Sequence, residues 1–291
     1  PIRCQTRGVL ADGYARLFVS SSAAYLWMNS MSYVPESPNS DEYIDSMASP
    51  LYRFPHRRNT VQSVAVAGEV QGALSFRESE DSLQALVYVG DVLYSDPDDS
   101  ADDDAAGDAP DAELALVTIP LRSFGQPLRW SDYRPLPGSH CSSVRFVGEH
   151  VLYGERSAFV HNLETGTTVV FDEVTPGRID PLGSDAALVS WNESSSLQYA
   201  LIDVEEPSSA RERRALRGAT SSETRTHGFF YQPDPSGGSF GMPVVSNVGP
   251  STLAQVAYFD VRDQRSTLVG SLSSAARDDT TCENSCVDWY G

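Results

Sequence analysis

The feature that most constrains this chain is its apolar rhythm. Almost nothing recurs at the 3–4 residue spacing of an amphipathic helix. Instead, short runs of Val, Leu, Tyr and Phe recur, each stopped by Gly, Pro, Asn or Asp: "YARLFVS" (14–20), "AAYLWMN" (23–29), "SVAVAGEV" (63–70), "LQALVYVG" (83–90), "ELALVTIPL" (113–121) and "LQYALIDV" (197–204). Runs of this length and punctuation read as strands. Several are whole hairpins. In "SAFVHNLETGTTVVF" (157–171) the turn Glu164-Thr165-Gly166 puts a residue able to take positive φ between two strands. "VAYFDVRDQRSTLVGSL" (256–272) repeats the plan around a polar Arg262–Arg265 turn. Many short strands joined by hairpins predict an all-β β-propeller of four-stranded blades, at ~40–50 residues per blade. A β-sandwich is the alternative, but this many strands would overfill it. A chain of 291 residues fits one such domain, and its 40% hydrophobic content suffices for a sizeable core.

The longest break in the rhythm is "YSDPDDSADDDAAGDAPDAE" (94–113), with nine acidic residues and no basic one. An EF-hand loop needs Gly at its sixth position and Glu at its twelfth. Counted from Asp96 this stretch has Ala101 and Gly107 there. Dense like charges among Ala, Gly, Ser and Pro build no core. Residues 95–112 therefore read as a solvated, disordered insertion between two strands, not a metal cradle.

Charge narrows the chemistry further. The net charge of −19 is only about half accounted for by that insertion, so the remaining surface is acidic and repels polyanions. Nucleic acid is not an expected partner. All 21 basic residues are arginine, which removes Schiff-base lysines and the P-loop lysine from consideration. The absence of lysine is compatible with both a high-GC coding sequence and a halophile. No apolar run reaches membrane-spanning length. The four cysteines, Cys4, Cys141, Cys282 and Cys286, fit an exported protein, and a start at Pro1 suggests that an upstream segment has been removed. Cys282 and Cys286 are spaced for a local disulfide or half a metal site; with no second Cys or His pair nearby, the disulfide is favoured. Cys4 and Cys141 are candidates to pair with each other, and spacing does not fix the connectivity.

Five segments, in order, resemble the secreted β-propeller domain family of bacteria and archaea. They are "GEVQGALSFRESEDSLQAL" (68–86), "VRFVGEHVLY" (144–153), "VTPGRIDPLG" (174–183), "LIDVEEP" (201–207) and "HGFFYQPDP…MPV" (227–244). The likeness covers roughly residues 60–272. It departs at Arg77 and Ser79, where the family favours an acid and an aromatic, and over residues 178–180, where the family's aromatic is missing. The resemblance implies a single propeller domain over residues 1–291 and an exported location, secreted, periplasmic or at the cell surface. It also implies strands missing at both ends. With the acidic insertion set aside, about six blades' worth of chain remain at ~40–50 residues each, so an incomplete ring with open edges near residues 9–29 and 253–272 is expected. The resemblance implies no reaction, because the family carries no assigned one.

Motifs that suggest catalysis read better as structure. "GGSFG" (237–241) matches the G-x-S-x-G nucleophile elbow around Ser239, but the elbow needs a following helix and Pro243 with β-branched residues follows instead. "ARERRALRG" (210–218) reads as a solvated edge strand, its arginines offset by Glu205, Glu206 and Glu212. "NES" (192–194) is an acceptor sequon of little weight here, and Trp27, Trp130, Trp191 and Trp289 read as packing residues. No catalytic, metal or cofactor residues are assigned. The expectation is a non-catalytic, exported binding or scaffold module for a protein or glycan ligand. The rival is an extracellular hydrolase or lyase working at the channel mouth.

Overall fold

In a computed structural model, residues 14–29, 48–57, 60–89, 114–139, 141–207, 212–222, 228–248, 251–262 and 265–273 are described. The acidic insertion, Cys4, Cys282 and Cys286 lie outside them. Among the described residues the regular structure is strand, apart from a few 3₁₀ turns. The chain divides into two compact units, Pro1–His140 and Cys141–Gly291.

The first unit holds two sheets. One is β1 (Tyr14–Val19), β2 (Ala23–Asn29), β3 (Ala48–Pro55) and β4 (Gln62–Ala67), in that spatial order. The other is β5 (Phe76–Glu78), β6 (Ser82–Tyr88), β7 (Leu114–Pro120) and β8 (Tyr133–Leu136), again in chain order. Tyr88 pairs with Leu114, so the acidic segment joins two strands that are already neighbours. Alternation places Tyr25 and Trp27 of β2, Leu51 of β3, and Leu83, Ala85 and Val87 of β6 in one core. Phe18 stacks on both Tyr25 (5.8 Å) and Phe76 (5.5 Å). Polar bonds tie the two sheets. The backbone N–H of Ala67 donates to the buried Tyr133 hydroxyl at 2.8 Å, and Glu78 accepts from Ser20 at 2.8 Å and from the Tyr25 hydroxyl.

The second unit holds three sheets. The third sheet is β9 (Ser143–Val147), β10 (His150–Gly154), β11 (Ala158–Asn162) and β12 (Thr168–Phe171); the fourth is β13 (Arg178–Pro181), β14 (Ala186–Glu193), β15 (Ser196–Asp203) and β16 (Glu212–Arg217). The fifth runs β17 (Ala219–Ser221), β19 (Gly237–Val248), β20 (Ser251–Arg262), β21 (Arg265–Ser273), with β18 (Phe230–Asp234) also paired to β19. Every pairing is antiparallel, and the β11–β12 turn is built as the sequence suggests. Asn162 Oδ1 accepts from the amides of Glu164 and Thr165, and Gly166 takes φ of 75°.

β15 shows why the middle strands hold the unit together. Ala200 and Ile202 enter a core shared with β9 to β12, while Leu197, Tyr199 and Leu201 enter a second core with Phe240, Met242 and Phe259. A strand covered on both faces is apolar on both faces. Each large aliphatic or aromatic side chain so buried contributes roughly 1.5–3 kcal/mol.

Antiparallel sheets of about four strands, each cut from one contiguous piece of chain, are β-propeller blades; four of the five are simple meanders and the fifth adds β18 beside β19. Five are described, against about six blades' worth of chain. The twelve-residue strands β19 and β20 use more chain per blade than the shorter ones. Of the strands in the two ranges where open edges are expected, β1 and β21 are edge strands of their sheets, and β2 and β20 are interior. β1 exposes Leu17 and Val19, and β21 exposes Leu268, Val269 (71%) and Leu272.

Candidate functional site

The register of the fourth sheet places two loops side by side. Arg178, at the start of β13, pairs with Ser190 near the end of β14. The β12–β13 connection therefore lies against the β14–β15 turn. Gly177 makes that approach possible. Its N–H donates to Ser190 O at 3.0 Å, and a Cβ there would lie 3.1 Å from that oxygen and 3.3 Å from Trp191 Cα. Between these loops an open groove of about 510 Å³ is lined by Asp172, Glu173, Thr175, Trp191, Asn192, Glu193 and Arg213.

Its floor is Trp191, only 6% exposed and seated in the core shared by the third and fourth sheets. Arg213 of β16 crosses above it, with Cζ 5.3 Å from the ring centroid. The register explains this reach. Arg213 pairs with Ala200, and Trp191 with Gln198 on the same face of β15. The methyl side chain of Ala200 leaves the guanidinium room to extend over the indole. Arg213 also pairs with Glu193 at 3.4 Å and Glu173 at 3.9 Å. Asp172 accepts from the Ser157 hydroxyl at 3.3 Å, and Asn192 Oδ1 accepts the backbone N–H of Ser221 at 2.8 Å. The groove thus offers a covered aromatic face, one cation and three carboxylates already held by neighbours. That set suits hydrogen bonding and stacking against a ligand.

A second charged cluster lies on the other face of the same sheet. Arg178 grips Asp180 with two bonds, Nε to Oδ2 at 2.5 Å and Nη2 to Oδ1 at 3.0 Å. The pair is 5% and 2% exposed. Arg178 also lies over the Phe229 ring, at 5.9 Å. Arg145, on the adjacent β9, interacts electrostatically with both members. Burial pushes the Asp180 carboxyl up, opposed by the two guanidiniums, and pushes Arg145 down.

The residues weighed in the sequence fall as follows. Ser239 is exposed within the extended strand β19, paired with Gln232 and Asp260, and no helix follows it. "ERRALR" is indeed the edge strand β16, but its Arg213 covers a tryptophan rather than only facing water. Trp27 and Trp191 are core residues. Cys141 is a buried free thiol that donates to Ser143 O at 3.0 Å, and burial pushes it up to about 11. The Cys282–Cys286 disulfide expected from spacing lies outside the described residues. His150 and His161 are buried in the third sheet, bonded to Asn162 and Thr168. Among the described residues, no three His, Cys, Asp or Glu side chains come together as a metal site. None of their helices is long and apolar enough to cross a membrane.

No family model matches this chain, and no curated protein matches it. Solved structures similar to it include the WD40 domain of Toxoplasma gondii coronin (11% identity, 89% of this chain, 70% of that one, TM-score 0.37). TolB from Acinetobacter baumannii is similar at 13% identity over 89% of this chain and 63% of its own, TM-score 0.38. A eukaryotic initiation factor is similar at 7% identity over 91% and 78%, TM-score 0.37. The blade assignment rests on the strand pairing itself.

Proposed function

We propose that the chain is an exported, non-catalytic binding or scaffold module, and that the Trp191–Arg213 groove takes part of an extracellular protein or glycan ligand. The observation that carries this is the groove's composition. An aromatic face, a guanidinium and carboxylates alternate over a short distance at the loop ends of two blades. Loop ends are where blade folds carry their variable chemistry. Each groove carboxylate already has a hydrogen-bonding or ionic neighbour, which favours recognition over proton transfer. The four cysteines and acidic surface support export, and the excess negative charge disfavours nucleic acid as ligand.

Glycan and peptide arrays, followed by titration of the hits, test this reading. Arg213→Ala should weaken the best hit about tenfold, the equivalent of ~1.4 kcal/mol. Its effect on folding should stay below ~1 kcal/mol, because its ion pairs are substantially exposed. Array binding that is absent, or unchanged in Arg213→Ala, rejects the groove. Release of new reducing ends or peptide termini from a bound polymer replaces the binding reading with the hydrolase or lyase one.

A further inference from the structure

We propose that the ligand of the Trp191–Arg213 groove is a protein segment carrying arginine or lysine: a basic peptide rather than a glycan. This rests on the groove being the binding site, and it adds the chemistry that the groove selects.

Charge gives the sign. Among the described residues, the charged groups lining the groove are Asp172, Glu173, Glu193 and Arg213. Three carboxylates against one guanidinium leave negative charge in excess. Glu193 and Glu173 approach the same Arg213, at 3.4 and 3.9 Å, so two anions share one cation. Both contacts are longer than the about 2.7–2.9 Å of a strong charge-assisted bond. The Glu173 and Glu193 side chains are 89% and 53% exposed, which leaves their oxygens able to accept from a ligand. A second cation placed between them relieves their repulsion and fills that capacity. The net charge of −19 adds long-range attraction for a basic partner.

The cover on Trp191 selects a peptide. A sugar ring stacks on an open aromatic face, but Trp191 is 6% exposed and Arg213 lies over it at 5.3 Å. The surface left to a ligand is the outer side of the guanidinium and the carboxylates beside it. The uncharged polar lining is turned inward. Thr175 Oγ1 donates to Arg156 O at 3.3 Å, and Asn192 Oδ1 accepts the Ser221 N–H at 2.8 Å. A guanidinium has five N–H donors and accepts nothing. Arg213 can therefore donate to a backbone carbonyl of the ligand while Glu173 and Glu193 take its basic side chain. A peptide carries both groups together, whereas a simple amine or a metal ion lacks the carbonyl. Glu173 follows β12, Glu193 ends β14 and Arg213 lies on β16, so the arginine also draws acids from separate segments to one place.

The test is titration of the full chain, read by fluorescence anisotropy, with labelled acetyl-Gly-Arg-Gly-Arg-Gly-amide and its lysine, glutamine and glutamate counterparts. The arginine and lysine peptides should bind saturably and more weakly as salt is added. The glutamine peptide should bind at least tenfold more weakly than the arginine peptide, and the glutamate peptide more weakly still. Glu173→Gln and Glu193→Gln should each lose at least threefold for the arginine peptide, and the double variant at least tenfold. The chain lacking residues 97–110 should bind it within twofold of the intact chain, which separates the groove from overall charge. The sign of the Glu→Gln effect separates this proposal from the groove reading beneath it. Glycan or acidic array hits that Arg213→Ala weakens, but that the Glu→Gln variants leave unchanged or strengthen, keep the groove and overturn the basic ligand. Hits that no groove substitution moves overturn both. The proposal is also overturned if the glutamine peptide matches the arginine one, or if affinity falls with the deletion and not with the groove carboxylates. Displacement of the arginine peptide by calcium chloride at constant ionic strength would overturn it too, in favour of a metal site.

Discussion

Ser194 and Ser195 close the β14–β15 hairpin with φ of 46° and 63°. Both are L-residues in the left-handed region, which costs roughly 1–2 kcal/mol per residue. A two-residue turn of this kind is usually built from Asn-Gly. The turn follows Glu193 directly, so the strain borders the groove. Ser195→Gly should therefore raise stability by about 0.5–1 kcal/mol, read as a higher thermal midpoint, with the gain limited by glycine's greater entropy when unfolded. A lower midpoint would mean that the serine hydroxyl holds the turn. At this scale the sequence says least. Trp191 and Arg213 are 22 positions apart, and only the register through Gln198 and Ala200 shows that they share a face. Read alone, the tryptophan looks like core and the arginine like solvated edge. Each description is partly true, and neither contains the contact. Arg178 and Asp180 left a stronger trace, since two opposite charges two residues apart on a strand share a face.

Elements were far more legible than contacts. β11 and β12 fall where "AFVHN" and "TVVF" flank Glu164-Thr165-Gly166, and β20 and β21 fall on either side of the expected polar turn. Alternation and turn chemistry are local, so the sequence carries them whole. Ser239 follows the same logic, because the Pro243 that disfavours a helix is visible in the sequence. The acidic segment yields a prediction at this scale. Its flanking strands pair from Tyr88 to Leu114 whatever joins them. Closing a loop between paired strands depends only weakly on its length, about 0.6 kcal/mol per doubling. Deleting residues 97–110 should leave the circular dichroism spectrum unchanged and move the thermal midpoint little, with a rise at low salt as repulsion is relieved. A large loss of stability, reproduced in the intact chain by a chelator, would show that the segment binds a metal.

At the scale of the whole molecule, each sheet is a contiguous piece of chain, and its middle strands carry the core. Strands such as β2, β6, β10, β14 and β15, and β19 with β20, supply most of the fully buried side chains. Edge strands such as β16 and β21 carry charges and exposed apolar groups. The proposed groove sits at loop ends, held by a frame that does not have to move. The rhythm of short strands made this architecture readable, because propeller blades are local in sequence. The packing of one sheet on another was not readable, because it depends on which face of each strand meets which. Hydrogen exchange of the native chain, read peptide by peptide, tests the central claim most directly. Amides of β14 and β15 and of β19 and β20 should exchange slowest, opening only with global unfolding, while β16 and β21 exchange much faster on their unpaired sides. Protection as strong in β16 and β21 as in the middle strands, or uniform across the chain, would contradict it.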